Sequence, residues 1–348
     1  MKGPCEPHTH ILMNYTTIPK VALHDHLDGG LRPETLVDLA DACGMVLPER
    51  NPQKLAELVA ARAAAGNLPG YLEAFHWTVG VMQDAKSLTR VAREAVIDLA
   101  NDGVVLAELR FGPMLSTGMH MHPDEIIAAV EQGLHEGREE AQNRIEVGLL
   151  LCAMRHRDEF DVIRDLYMQR RGTNSLVVGV DLAGPEAGYP PSQHLALAEL
   201  NMALPDAPIT VHAGEAAGLD SIAEALAHGA KRLGHGTRLI DSINGDGEIA
   251  RIVRDRGVAI EACVSSNVHT GAIWEAAAHP FRQLHDFGIT VVPCTDNRLM
   301  SATTHSKELA LVAETFGFNA AECADLHHLG AMASFLPYDR LKRALSAW

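Results

Sequence analysis

Cysteine is scattered through this sequence and never paired. Cys5, Cys43, Cys152, Cys263, Cys294 and Cys323 lie far apart, with no CxxC among them. That excludes a cysteine zinc ribbon and a CxxC redox motif. Several sit inside apolar runs, where a buried free thiol is the ordinary outcome, and free thiols suit a reducing compartment. Long hydrophobic runs are missing too. None approaches the ~18 apolar residues of a membrane-spanning helix. The segment up to Thr17 lacks an apolar stretch behind a basic start. It reads as a flexible N-terminus rather than a signal peptide. A cytoplasmic protein is expected.

Positive charge is also short. Lys and Arg number 29 against 45 Asp and Glu, for a formal net charge of -16 with His neutral. A field of that sign repels phosphate backbones, so nucleic acid and anionic membranes are poor partners. A neutral or weakly charged small molecule fits better. There is no internal repeat, no low-complexity tract and no Pro-, Gly- or Ser-rich linker. One domain is therefore expected over residues 18–348.

What the sequence does hold is a rhythm. Short apolar runs fall at residues 21–23, 104–109, 147–152, 176–182, 209–211, 232–234, 258–264 and 289–295. Near-continuous apolar strands are what a parallel sheet buried on both faces requires. Amphipathic stretches of helical period separate them, for example at 88–99, 123–137, 194–202, 221–227 and 248–254. Strand and helix alternating eight times is the pattern of an α/β (β/α)8 TIM barrel. The competing doubly wound sheet usually carries GxGxxG after its first strand, and none follows Leu23. The crossover from residue 27 to residue 103 is too long for one helix. Leaving the C-terminal end of strand one, it would form a helical lid over the active face, with Leu68, Leu72 and Phe75 as its apolar residues. The alternative is a helix packed on the barrel flank.

Histidine is abundant, at 19 residues. HxH occurs at His8/His10, His24/His26 and His120/His122. The first lies in the loose terminus and the third in a polar loop, so both are expected to be solvated. The middle pair ends strand one, where residues i and i+2 point to one side and both rings aim into the barrel mouth. His212-Ala213-Gly214-Glu215 closes strand five, Gly234-His235-Gly236 strand six and Thr295-Asp296 strand eight. Strand C-terminal ends carry the chemistry in barrels. His24, His26, His212 and Asp296 thus form a candidate metal site for Zn²⁺, with Fe²⁺, Co²⁺ or Mn²⁺ also compatible. Water in an open position on such an ion has its pKa lowered towards roughly 7, which points to a hydrolase. Glu215 is left over and suits a proton shuttle. His235 is placed to orient or deprotonate that water.

These motifs, with Asp25, the run Leu27-Asp28-Gly29-Gly30, Asp181-Leu182-Ala183-Gly184 and Ser265-Ser266-Asn267, resemble those of adenosine deaminases of the amidohydrolase superfamily. The likeness runs from about Pro19 to Pro337. The cytidine-type signature, HxE with PCxxC, is absent. The resemblance implies hydrolysis of adenosine and 2′-deoxyadenosine to inosine and ammonia, in purine salvage. It implies one zinc ion per subunit on His24, His26, His212 and Asp296. Water would attack purine C6 while Glu215 gives its proton to N1. His235 would stabilise the attacking oxygen, and Asp296 would accept the water's proton. The Gly184 N–H would reach purine N3, Asp28 would hold the ribose hydroxyls, and His26, Leu72 and Phe75 would also line the substrate site. Where the family usually has a second Asp reading purine N7, this chain has Asn297, whose amide donates at any pH. Val264 and Cys294 also depart from the common Pro and Asn, and are expected to reshape the pocket slightly. Adenine and 6-amino-6-deoxyfutalosine are the alternative substrates. AMP is disfavoured, because no Lys/Arg cluster awaits a phosphate. The sequence leaves the oligomeric state open.

Overall fold

The computed structural model describes residues 14–348. The His8/His10 pair and Cys5 lie outside the described residues. Eight strands run in chain order around one sheet, β1 (Lys20–His26), β2 (Val104–Phe111), β3 (Glu146–Met154), β4 (Val177–Ala183), β5 (Ile209–Ala213), β6 (Arg232–His235), β7 (Ala259–Ala262) and β8 (Val291–Pro293). Every neighbouring pair is parallel. The ring closes through an Asp25–Asp296 bridge. There the Asp296 carbonyl accepts from the His26 N–H at 2.8 Å, and the Asp296 N–H donates to the His24 carbonyl at 3.0 Å. The seam of the (β/α)8 barrel is thus tied beside His24, His26 and Asp296.

Two strands are shorter than their apolar runs. β7 stops at Ala262 because Val264 already opens the helix Val264–His269. β8 ends at Pro293, which has no N–H to give the ladder. The crossover helices start where local chemistry lets them. Pro stands first in Pro33–Cys43, Pro52–Ala63 and Pro123–Glu140, a position that needs no N–H. Asp84 caps Ala85–Asn101 by accepting the Lys86 and Ser87 N–H groups. His122 caps Pro123–Glu140, so the exposed His120/His122 pair serves a helix end.

The long crossover divides between two places on the barrel. Its last helix, Ala85–Asn101, packs along Pro123–Glu140 as a flank helix. The short helices Leu68–Glu73 and Phe75–Val81 lie over the C-terminal ends of the strands, where Leu68, Leu72 and Phe75 line a cavity. Among the described residues no helix is long and apolar enough to cross a membrane, and Cys43, Cys152, Cys263, Cys294 and Cys323 are free thiols.

Candidate active site

The cavity at the barrel mouth holds about 280 Å³, near the lower end for small-molecule sites. His26, Asp28, Gly184, His212, Glu215, His235, Asp296 and Asn297 all face it. His24 lies just beneath. Its Nε2 is 3.2 Å from Asp296 Oδ1, and His26 Nε2 is 3.5 Å from the same oxygen. His26 Nε2 and His212 Nε2 are 3.2 Å apart. Three strand ends, those of β1, β5 and β8, therefore bring three imidazoles and one carboxylate to a point.

Partners on the far side of each ring decide which nitrogen faces that point. His24 Nδ1 donates to Glu261 Oε2 at 2.9 Å, and His212 Nδ1 donates to Asp181 Oδ1 at 3.1 Å. Each carboxylate fixes the tautomer and turns a lone pair on Nε2 inward. His24 Nε2 is buried without a hydrogen bond. Lone pairs held this close repel unless a cation joins them, so the donor set fits a metal. Burial keeps His212 below its ordinary value and His26 down at about 3, so both rings are neutral.

Glu261 and Asp181 are anchored in turn. Arg110 bridges them at 2.9 Å each, and Arg232 joins Glu261 to Glu108 at 2.6 Å each. Thr210 donates a further bond to Glu261 at 3.1 Å. All five charged side chains are fully buried. Such a group is tolerable only because each charge is paired, and removing one partner typically costs about 3–5 kcal/mol.

Glu215 lies 3.6 Å from His235 Nε2. Burial first, then the Asp296 and Glu186 charges, push its carboxyl well above the ordinary range. Glu186 also holds the loop that carries it. Its carboxylate accepts from the N–H groups of Gly214, Glu215, Ala216 and Ala217 at 2.6–2.9 Å, and from Ser221 Oγ at 2.6 Å. Burial raises Asp28 to about 7, and its Oδ1 has no partner. Ser266 Oγ donates to Asp296 Oδ2 at 2.6 Å, which favours its ionised form.

Two site residues bend the backbone to get there. His235 and Asp296 adopt φ of 65° and 59°, left-handed values that cost a non-glycine residue about 1–2 kcal/mol. Gly184 has φ 96°, which only glycine adopts freely. Asn297 is clamped between Gly29, where any Cβ would collide with its amide, and Tyr71, whose hydroxyl accepts from Nδ2 at 3.0 Å. Val264 and Cys294 do not line the cavity. Val264 begins a helix, and Cys294 packs among Val21, Leu23 and Val292, so any effect on the pocket is indirect.

Sequence reasoning missed Glu186, Tyr71, Arg110 and Glu261. The last two carried a signal, since a charge inside a strand buried on both faces must find a partner. Glu186, in a loop after β4, carried none.

A model of the adenosine deaminase family matches residues 19–347. An adenosine deaminase of Mycobacteroides abscessus is 44% identical over 340 residues, covering 94% of this chain and 93% of its own. The N6-methyl-AMP deaminase of Arabidopsis thaliana superposes with a TM-score of 0.81 at 27% identity, over 95% of this chain and 96% of that one. An adenine deaminase from Arthrobacter aurescens gives a TM-score of 0.83 at 24% identity, over 94% and 97%, and shares the fold. The chain is a (β/α)8 barrel enzyme that hydrolyses C–N bonds. It belongs to the adenosine deaminase family.

Proposed function

We propose that residues 18–348 form one catalytic unit that deaminates adenosine to inosine, and 2′-deoxyadenosine to 2′-deoxyinosine, with release of ammonia. The observation that carries this reading is a buried Glu215, its carboxyl pushed well above the ordinary range, beside converging His24, His26, His212 and Asp296 under a largely apolar roof. Three imidazoles and a carboxylate suit one zinc ion, which when bound supplies a Lewis acid and a nucleophilic water at neutral pH. The remaining steps belong to the chain. Asp296 takes the water's proton on its carboxylate as oxygen adds to C6. Glu215, protonated at neutral pH, passes its proton to purine N1, which relieves the negative charge growing there. Asp296 then returns its proton to the amino group, which leaves C6 as ammonia, while the new C6 hydroxyl gives its proton back to Glu215 as the C6=O bond forms.

The other contacts orient the substrate. The Gly184 N–H faces purine N3, and the second N–H of Asn297 faces N7. The unpartnered Asp28 oxygen suits a sugar hydroxyl, which supports a nucleoside over the free base. Among the described residues no Lys or Arg lines the cavity, which argues against a nucleotide phosphate.

Zinc-loaded protein is expected to convert adenosine with release of ammonia and a fall in ultraviolet absorbance. Adenosine left unchanged would sink the reading. Turnover of adenine that is insensitive to Asp28→Ala would move the substrate to the free base.

A further inference from the structure

In the run Ser265-Ser266-Asn267, Ser266 donates to Asp296, whereas Asn267 has no task in the reaction. The side chain of Asn267 is fully buried between two histidines. Its Nδ2 lies 3.0 Å from His235 Nδ1, and its Oδ1 lies 3.2 Å from His279 Nε2. On the far side of His279, the backbone N–H of Phe281 meets Nδ1 at 3.1 Å.

This chain has a single possible direction. A backbone N–H can only donate, so His279 Nδ1 must be the acceptor. His279 is buried and held down at about 3, so it is neutral and its one proton sits on Nε2. That proton can only go to a carbonyl oxygen, so Asn267 turns Oδ1 towards His279. Its amide N–H then faces His235 Nδ1, which must accept. With Nδ1 accepting, the one ring proton of His235 is left on Nε2, the nitrogen that faces Glu215 and the cavity.

We propose that His279, through Asn267, is a positioning residue that sets the tautomer of His235, making its inward nitrogen a hydrogen-bond donor rather than a base. The order is fixed by a backbone amide that cannot reverse. Of the two tasks that the sequence leaves to His235, orienting the water and deprotonating it, the first survives. The base is then Asp296. The inference rests on the proposed deaminase reading for its kinetic consequence, but the tautomer itself needs no substrate.

The test is nitrogen NMR of the full-length protein with ¹⁵N-labelled histidine, the His235 ring being assigned by comparison with His235→Gln. Wild type is expected to show a protonated Nε2 and a bare Nδ1 on His235. Asn267→Asp keeps the shape but turns two acceptor oxygens to the two rings, so the His235 proton should move to Nδ1. A triad with the wrong tautomer loses about 10⁴-fold in rate, and a loss in kcat on the order of 10³-fold is expected here, with KM little changed. His279→Leu frees the Asn267 amide to turn and should give mixed tautomers. His279→Gln retains a donor and should restore the wild-type spectrum. Should either loss variant fold poorly, the wild-type spectrum alone still decides. A wild-type His235 protonated on Nδ1 overturns the proposal, as does an unmoved proton in Asn267→Asp. A wild-type Nε2–H in a protein that leaves adenosine untouched supports the relay and overturns the deaminase reading instead.

Discussion

The floor and the roof of the cavity are built from opposite materials. The floor is charge: Arg110, Asp181, Glu261, Arg232 and Glu108 fill the barrel beneath the histidines, each held by at least one partner at 2.6–2.9 Å. The roof is mostly hydrocarbon: Leu68, Leu72, Phe75 and Val79, with Tyr71 and His76 as its polar members. The floor works by direction. Carboxylates take the outer ring protons and leave inner lone pairs pointing at one place. The roof works by exclusion. It keeps water off Glu215, so its carboxyl stays protonated where a solvated one would ionise. A site that needs both a charged electrophile and a neutral acid requires both materials a few ångströms apart.

The strongest way to break this division is at the residue where the two meet. Glu215→Gln keeps the shape and removes the transferable proton. Turnover is expected to fall on the order of 10³-fold while metal content, measured on the same sample, stays at the wild-type level. Loss of both together would place Glu215 in the floor.

Glu261→Gln tests the floor alone. It weakens the hold on His24 and leaves Arg110 and Arg232 short of charge. Metal affinity, read by competition with a chelator, is expected to drop about 10- to 100-fold. A variant that binds metal as tightly as wild type would mean the column under the site only fills space.

Phe75→Ala tests the roof alone, through pH. Glu215 donates only while protonated, so kcat/KM is high below its raised pKa and falls as pH rises through it. Admitting water lowers that pKa towards the ordinary carboxyl value. The alkaline limb of the profile should therefore move to lower pH, with a loss of about tenfold at neutral pH and less in mild acid. An unmoved limb would show that the Asp296 and Glu186 charges, not the roof, keep Glu215 neutral.

The smallest effect is expected where the roof touches the substrate edge. Tyr71 accepts from Asn297 and lies 3.1 Å from Ser301 Oγ. Tyr71→Phe removes that anchor and leaves the packing. A loss of about 1 kcal/mol, or roughly fivefold in kcat/KM for adenosine, is expected, together with weaker discrimination against 7-deazaadenosine, which lacks the N7 acceptor. Discrimination equal to wild type would show that Asn297 is held by Gly29 and the backbone alone.

By itself the sequence determined which side chains stand at the strand ends. An apolar run followed at once by His24-Asp25-His26, by His212 or by Thr295-Asp296 puts those side chains at strand ends, because covalent adjacency leaves them nowhere else to go. Strand count and barrel closure followed from the same rhythm. Tertiary structure alone decided which atoms of those side chains work. Glu261 stands 237 residues from His24 and Asp181 stands 31 from His212, so no local pattern announces either pair. Yet these contacts choose the metal-facing nitrogens, as Asn267 and His279 choose the proton on His235. The long crossover shows the same limit. Its apolar period foretold helices, but whether each covers the mouth or the flank depends on which surface is free to bury it, and that is a property of the folded barrel.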